Sequence, residues 1–493
     1  MRKLLLLFVL LSLYSCVDDT LSTSKELTSF SFLKVNNSEL TTDLFLSIDG
    51  NNVTGNIPYG IDITSLIASY DFSGKKISVN GDNQISGVSV IDFTEIIDYK
   101  ITSEDGNSSI YAVDLTYFTG LPILSIATDG AEEILSKETY IYGAVDFYGG
   151  RNYESFTEPM KIRGRGNTTW NYFPKKPYQL KFDSKTSIMG IPKDKKWILL
   201  ANYSDKTMIR NKIAFDMGEM SILDWTPNSQ FIELFINDSY RGTYQISQKV
   251  EETQNRVNIT NDGYLLEVDQ LERLDEDDIY FETDRLLFNI KEPNLDWGDT
   301  EFTYINTYIN EVESVLYGSD FTDPTNGYAK YLDVDTFVDW YLINEITKNN
   351  DAIFYSSVYM NVIPGEKIKM GPLWDFDIAM GNINFNGNDS PEGFWIKNAS
   401  WIARLFEDPD FVEKVKVRFA FFKTNKETIF SNIELHATSL QLAQQENDLK
   451  WQTLGEYVWP NNMVFESYQQ EVDYLTSWLE QRFNWLETAY ADL

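Results

Sequence analysis

At 493 residues, with 43% hydrophobic and 15% aromatic side chains, the chain has length for about two to four domains with substantial cores. A net charge of −34 argues against general nucleic-acid binding and against electrostatic attachment to anionic lipid. The single cysteine, Cys16, and the single histidine, His436, exclude a disulfide framework, a cysteine-based zinc site and a histidine-rich metal site. Chemistry then falls to carboxylates, Lys, Arg, hydroxyls or a bound cofactor.

Residues 1–15 read as a lipoprotein signal peptide. Arg2 and Lys3 precede an apolar run over 4–13 that is too short for a stable membrane span. Leu13-Tyr14-Ser15-Cys16 resembles a bacterial lipobox, which implies cleavage before Cys16 and lipid on that residue. Val17-Asp18-Asp19 resembles the acidic export signal of surface lipoproteins. Residues 16–28 then form a lipidated tether at the outer membrane or cell surface, with the lipid as the only membrane contact. From 29 to 119 the pattern is all β. Tyr111, Val113, Leu115 and Tyr117 alternate along one strand, and Asp49-Gly50, Gly81-Asp82 and Asp105-Gly106 supply turns. This predicts a small immunoglobulin-like β-sandwich acting as a spacer.

From 120 to 490 strands and helices mix, so the expected class is α+β. The runs IYGAVDFYG, MKIRGRG, YQLKF and WILLA read as strands. A helix is predicted over 204–220, capped by Ser204, with Ile209, Ile213, Met217 and Met220 on one face. A hairpin is expected to turn at Asp238-Ser239, and 272–278 (ERLDEDD) reads as a solvated acidic loop. A second helix is predicted over 333–348, ending just before Asn349-Asn350-Asp351. After Trp401 the pattern is mostly helical.

Residues 161–212 hold thirteen Lys or Arg against three acids, a local charge of +10 inside a chain of −34. Such a concentration suggests an anionic ligand. Arg163-Gly164-Arg165-Gly166-Asn167 reads as a glycine-containing turn after a strand. Its N–H groups can approach phosphate oxygens, and its arginines can pair with them bidentately. Lys181, in YQLKF, is placed to add an ammonium; the competing reading is a hairpin turn with solvated basic flanks. The second half-site is 349–382, where FYSSVYMNV reads as a strand, Pro364-Gly365 as a turn, and KIKMGPLW as a strand leading to Asp375-Phe376-Asp377. Carboxylates at both ends of a hairpin suit phosphoryl transfer, one accepting a hydroxyl proton and others holding Mg²⁺ on phosphates. They also suit a plain hairpin with solvated acids, or the metal-holding D-x-D of a nucleotide-sugar transferase.

Six ordered blocks carry a resemblance: IRGRGNTTW, KKPYQLKFD, PKDKKWILLANYSDKTMIRNKIAFDM, IELFINDSYRGTYQISQKVE, NNDAIFYSSVYM and GPLWDFDIAMGN. Together they resemble the CotH family of spore-coat protein kinases over about 120–490. The resemblance implies a divergent protein-kinase-like fold and transfer of the ATP γ-phosphoryl group to Ser or Thr of a protein substrate, with Mg²⁺ or Mn²⁺. It implies that Asp351 orients or deprotonates the acceptor hydroxyl and that Asp375 or Asp377 binds metal. Lys181 would contact the α- and β-phosphates, Arg163, Gly164, Arg165, Gly166 and Asn167 would form the phosphate-facing turn, and Glu219 is the one glutamate of the helix expected to pair with that lysine. The chain departs from ordinary kinases in carrying Ser356 where a metal-binding Asn follows the catalytic Asp by five residues. A non-catalytic surface module that binds protein or glycan on the same scaffold is the alternative.

Overall fold

The computed structural model describes residues 20–260 and 262–493; the signal peptide, Cys16 and the acidic export signal lie outside the described residues. The chain divides into two compact units between Phe118 and Thr119.

The first unit is built from β-strands. A three-stranded sheet centres on Glu26–Phe32, and a six-stranded sheet centres on Ser108–Tyr117. Ser108–Tyr117 runs antiparallel to Ile97–Thr102 and parallel to Asn52–Ile57. Its period-two pattern buries Tyr111, Val113 and Leu115, while Tyr117 is half-buried. Phe30, Phe32, Phe93 and Tyr99 fill the core, with Phe30 edge-on to Tyr99 at 5.1 Å and Phe32 edge-on to Phe93 at 5.2 Å.

The second unit begins with a closed seven-stranded barrel. Its strands run, around the barrel, Ile123–Thr128, Ile141–Tyr148, Phe156–Gly164, Tyr178–Ile188, Ile191–Leu200, Ser239–Gln248 and Ser229–Ile236, which returns parallel to the first. Alternation fills the interior with Leu124, Val145, Phe147, Ile162, Leu180, Trp197, Leu199 and Leu234. The hairpin between the last two strands turns at Asn237-Asp238, both left-handed at φ 49° and 59°. That is one residue earlier than the sequence suggested, because a two-residue turn with both φ positive matches strand twist.

After the barrel comes a five-stranded sheet, Tyr280–Glu282, Leu287–Glu292, Tyr264–Val268, Val358–Val362 and Lys369–Met370, packed with helices. The class is α+β. The helix Val334–Thr347 is buried on all sides from Thr336 onward, so its faces need no amphipathic stripe. Its buried Glu345 pairs at 2.6 Å with Arg482 of the helix Tyr468–Ala491 and also accepts from the Trp395 and Lys397 amides, both at 2.8 Å. The helix ends at Lys348, left-handed at φ 49°, whose ammonium donates to the carbonyls of Gly387, Ser390 and Glu392. This end fixes where Asn349-Asn350-Asp351 emerges.

The helix expected over 204–220 begins later, at Arg210. Asp205 accepts from the Thr207 and Arg210 amides and pairs with the Arg210 guanidinium at 2.5 Å. These side-chain bonds hold 205–209 as a non-helical turn. Ser204 is therefore not the cap, and it becomes available to the cleft.

Candidate active site

A cleft of about 770 Å³ lies in the second unit, with Arg163 to Thr169, Asp351, Trp374, Asp375 and Asp377 on its walls. It joins segments nearly two hundred residues apart in sequence.

Asp351 stands one turn beyond the buried helix. Asn350 donates to its Oδ1 at 2.7 Å, and Asn350 in turn accepts from Asn386 at 3.0 Å and Asn388 at 3.1 Å. Its carboxyl is thus aimed by a chain of carboxamides. Burial pushes the Asp351 carboxyl above the usual carboxylate range, nearby Asp375 adds to the rise, and the Asn350 donor opposes it. The strand expected to start at Phe354 starts at Val358, because Phe354 and Ser357 are left-handed at φ 62° and 58°. Ser356 is buried and its hydroxyl has no partner; it lines a small void of about 10 Å³ shared with Asn349, Asp351 and Asp375.

The second predicted strand shrinks to Lys369–Met370, and 371–377 runs on without ladder partners. Asp375 is left-handed at φ 66°, a conformation that a non-glycine residue holds only when its surroundings impose it. Asn349 donates to the Asp375 carbonyl at 3.2 Å, and the Phe376 amide donates to Asn211 at 2.7 Å. Asp377 accepts from the Ser204 hydroxyl at 3.3 Å, and its carbonyl accepts from Asn382 at 2.7 Å. Burial raises both carboxyls. Arg165 and Arg273 partly offset this for Asp375, whereas Asp375, Asp205 and Asp351 push Asp377 further up. Asp377 itself offsets part of the rise of Asp375.

The turn from 163 to 167 follows the strand Phe156–Gly164 and leads into the short helix Thr168–Tyr172. Gly164 is dictated by packing: a Cβ there would meet the Trp170 ring at 2.3 Å. Gly166 is left-handed at φ 81°. The Arg163 guanidinium lies 4.8 Å from the Tyr140 ring, and its Nε is buried without a partner. Arg165 lies 5.4 Å from the Trp374 ring. Burial lowers it from its ordinary value, and Asp375, Tyr359 and Glu267 counter that. Asn167 accepts from Lys137 at 3.1 Å.

Two expected contributors are not in the cleft. Lys181 shares the outer barrel face with Gln179, two residues nearer the cleft, while Leu180 and Phe182 point inward. Its cross-strand neighbours are Lys161 and Lys196, so it sits in a patch of like charge on the barrel exterior. Glu219 is exposed at the end of Arg210–Glu219 and does not line the cleft; Asn211, on the first turn of that helix, does. The basic island as a whole is mostly structural. Lys175 donates to the Thr243 carbonyl at 2.5 Å, Lys212 pairs with Asp216 at 2.5 Å and Lys196 with Glu251 at 2.7 Å. Only Arg163 and Arg165 of the thirteen line the cleft. The other cleft cations, Lys137, Lys249, Arg273 and Lys291, come from outside it.

The CotH kinase protein family matches residues 162–486. The chain belongs to the CotH family. No curated protein matches it. Solved structures that match include a provisionally assigned secreted protein of Bacteroides fragilis NCTC 9343, at 16% identity over 19% of this chain and 95% of that one, with TM-score 0.15. Another is a provisionally assigned glycoside hydrolase of Bacteroides thetaiotaomicron VPI-5482, at 13% identity over 59% of this chain and 88% of that one, with TM-score 0.17. At such TM-scores neither bears on the fold.

Several lining residues of this CotH chain carry no sequence signal. Lys249 stands at the end of Ser239–Gln248, its ammonium pushed down to about 8 by burial. Asp275 and Asp278 of the acidic loop line the cleft, where Lys291 lies 3.5 Å from Asp278 and 3.7 Å from Glu267. Among the described residues no set of three or more His, Cys, Asp or Glu forms a ready metal cage. A nucleotide-borne Mg²⁺ or Mn²⁺ needs less: one or two carboxylates, with phosphates and waters completing the shell. Asp375 and Asp377 are hard oxygen donors whose ionised forms are disfavoured by burial, and Asp375 adds to that for Asp377. That donor set fits a divalent cation.

Proposed function

We propose that this CotH chain is an ATP-dependent phosphotransferase acting on a Ser or Thr hydroxyl of a protein. The observation that carries the proposal is one cleft that holds Asp351, the Asp375–Asp377 pair and the Arg163–Asn167 turn together. The barrel and the helical region that follows it are read as the two lobes of a divergent kinase-like fold. ATP with its divalent cation supplies the activated phosphoryl group and neutralises its developing charge. Asp351 takes the proton of the acceptor hydroxyl as the acceptor oxygen bonds to the γ-phosphorus and ADP departs. Asp377, pushed up by three neighbouring aspartates, is the stronger candidate to hold the metal, and Asp375, countered by Arg165 and Arg273, would assist it. Arg163, Arg165 and the Gly166 and Asn167 N–H groups bind phosphate oxygens, and Lys249 takes the part first assigned to Lys181.

Beyond the cleft, the first unit is proposed as an immunoglobulin-like spacer and Cys16 as the lipid anchor at the outer membrane or cell surface. Among the described residues no helix is long and apolar enough to cross a membrane.

Thermal melting tests the nucleotide site, since a ligand that binds only the folded chain raises its midpoint. Millimolar ATP with Mn²⁺ should raise the midpoint, and Arg165→Ala should abolish that rise. Stabilisation by an oligosaccharide with none by ATP–Mn²⁺ would instead support the glycan-binding module.

A further inference from the structure

The cleft is chemically lopsided. Its lysines and arginines come from the barrel and from 249–291, whereas every lining residue between 378 and 395, and at 459–460, is uncharged. On this neutral side Phe385 and Trp459 stack at 6.2 Å with their planes 15° apart. Trp459 is nevertheless 47% exposed. Nearby in the chain Tyr457, Met463 and Val464 are exposed as well, and the Tyr457 hydroxyl accepts from Asn384 at 2.9 Å.

This side is held firmly. Lys348 fastens the carbonyls of Gly387, Ser390 and Glu392, and Asn461 donates to the Ser204 carbonyl at 2.7 Å and to Asn382 at 2.9 Å. It is also wired to the candidate base: Asn386, next to Phe385, donates to the Asn350 that donates to Asp351. A fixed, solvent-facing indole costs hydrophobic free energy that a bound apolar group recovers.

We propose that the Phe385–Trp459 stack is the acceptor-docking ledge of this site. It selects a protein whose Ser or Thr is flanked by an uncharged aromatic or proline residue. The inference rests on the phosphotransferase reading, in which nucleotide phosphates take the arginine side and the acceptor hydroxyl must still reach Asp351. The carboxylates of the opposite wall, Glu267, Asp269 and Asp278, are engaged by Lys291 and Arg273, which leaves the neutral side for the residues around that hydroxyl. A stacked ring pair recognises flat apolar groups. The cleft-lining residues of this side include no cation for an acidic flank and no carboxylate for a basic one, and the chain's overall −34 disfavours acidic partners at longer range.

The test is fluorescence anisotropy with three labelled serine peptides, flanked by Phe and Pro, by Lys, or by Glu, titrated with the full chain. The Phe/Pro peptide should bind at least about tenfold tighter, a preference worth about 1.4 kcal/mol. Trp459→Ala should erase the preference and Trp459→Phe restore it, with unliganded melting midpoints confirming that both variants fold. Equal affinities, a preference that survives Trp459→Ala, or displacement of the peptide by xylotetraose overturns the proposal. ATP–Mn²⁺ melting on the same preparations separates the two claims. Peptide preference without nucleotide stabilisation sinks phosphoryl transfer and leaves the ledge, and the reverse outcome sinks the ledge alone.

Discussion

Asp377 is the residue on which charge and function meet most sharply. Burial raises its carboxyl well above the usual range, and three other aspartates add to the rise. Asp375 is raised too. An acid whose folded value is raised resists ionisation, so the folded chain binds more protons than the unfolded one above the unfolded value of about 4. Stability without cation is therefore greatest at or below that value and falls as pH rises toward the folded values. Cation binding needs the ionised pair and strengthens over the same window. The midpoint shift given by Mn²⁺ should grow as pH is raised from about 5 to about 8. Asp377→Asn should flatten that dependence and raise the midpoint of the cation-free protein. A Mn²⁺ shift independent of pH, or a lower cation-free midpoint for the variant, contradicts this assignment. At this scale the sequence was legible for the acids, because with one Cys and one His little else could act. It was not legible for Lys181. A lysine two residues along a strand from a cleft residue looks the same in sequence whether it faces the ligand or lies beyond the rim.

Among the elements, the helix Val334–Thr347 positions the site, and its anchoring ion pair is fully buried. Arg482 is 0% exposed and also donates to the carbonyls of Pro391 and Gly393. Removing it strands the Glu345 carboxylate in the core, which for buried pairs costs about 3–5 kcal/mol. Arg482→Ala should show that loss in urea unfolding, whereas Lys414→Ala, whose partner Asp335 is exposed, should cost no more than about 1 kcal/mol. Comparable losses for the two variants would mean that the buried pair is not the anchor. This helix was legible because it is long and apolar and ends at an Asn-Asn-Asp run. The helix at Arg210 was misjudged by about six residues, because Asp205 satisfies the Thr207 and Arg210 amides with its own side chain. The hairpin expected within 349–382 was overdrawn for a related reason: left-handed Phe354, Ser357 and Asp375 break ladders that their β-prone neighbours suggest.

For the whole molecule, the order of the six blocks carried the family, and the α+β class followed from strands giving way to helices. The +10 island is only partly a ligand signal, since two of its thirteen cations face the cleft while others, such as Lys175, Lys196 and Lys212, are tied up in the fold. Lys137, Lys249, Arg273 and Lys291 were invisible because long-range closure of the chain, not local pattern, brings them together. That closure makes the cleft a property of the assembled second unit. The most direct measurement is transfer of labelled γ-phosphate from ATP with Mn²⁺, followed in wild type, Asp351→Ala and Lys181→Ala side by side. Loss of a positioned base typically costs about 10²–10⁴ in rate, so Asp351→Ala should fall at least about a hundredfold while Lys181→Ala stays within about twofold. Equal rates for wild type and Asp351→Ala, or collapse of Lys181→Ala in their place, would contradict the account.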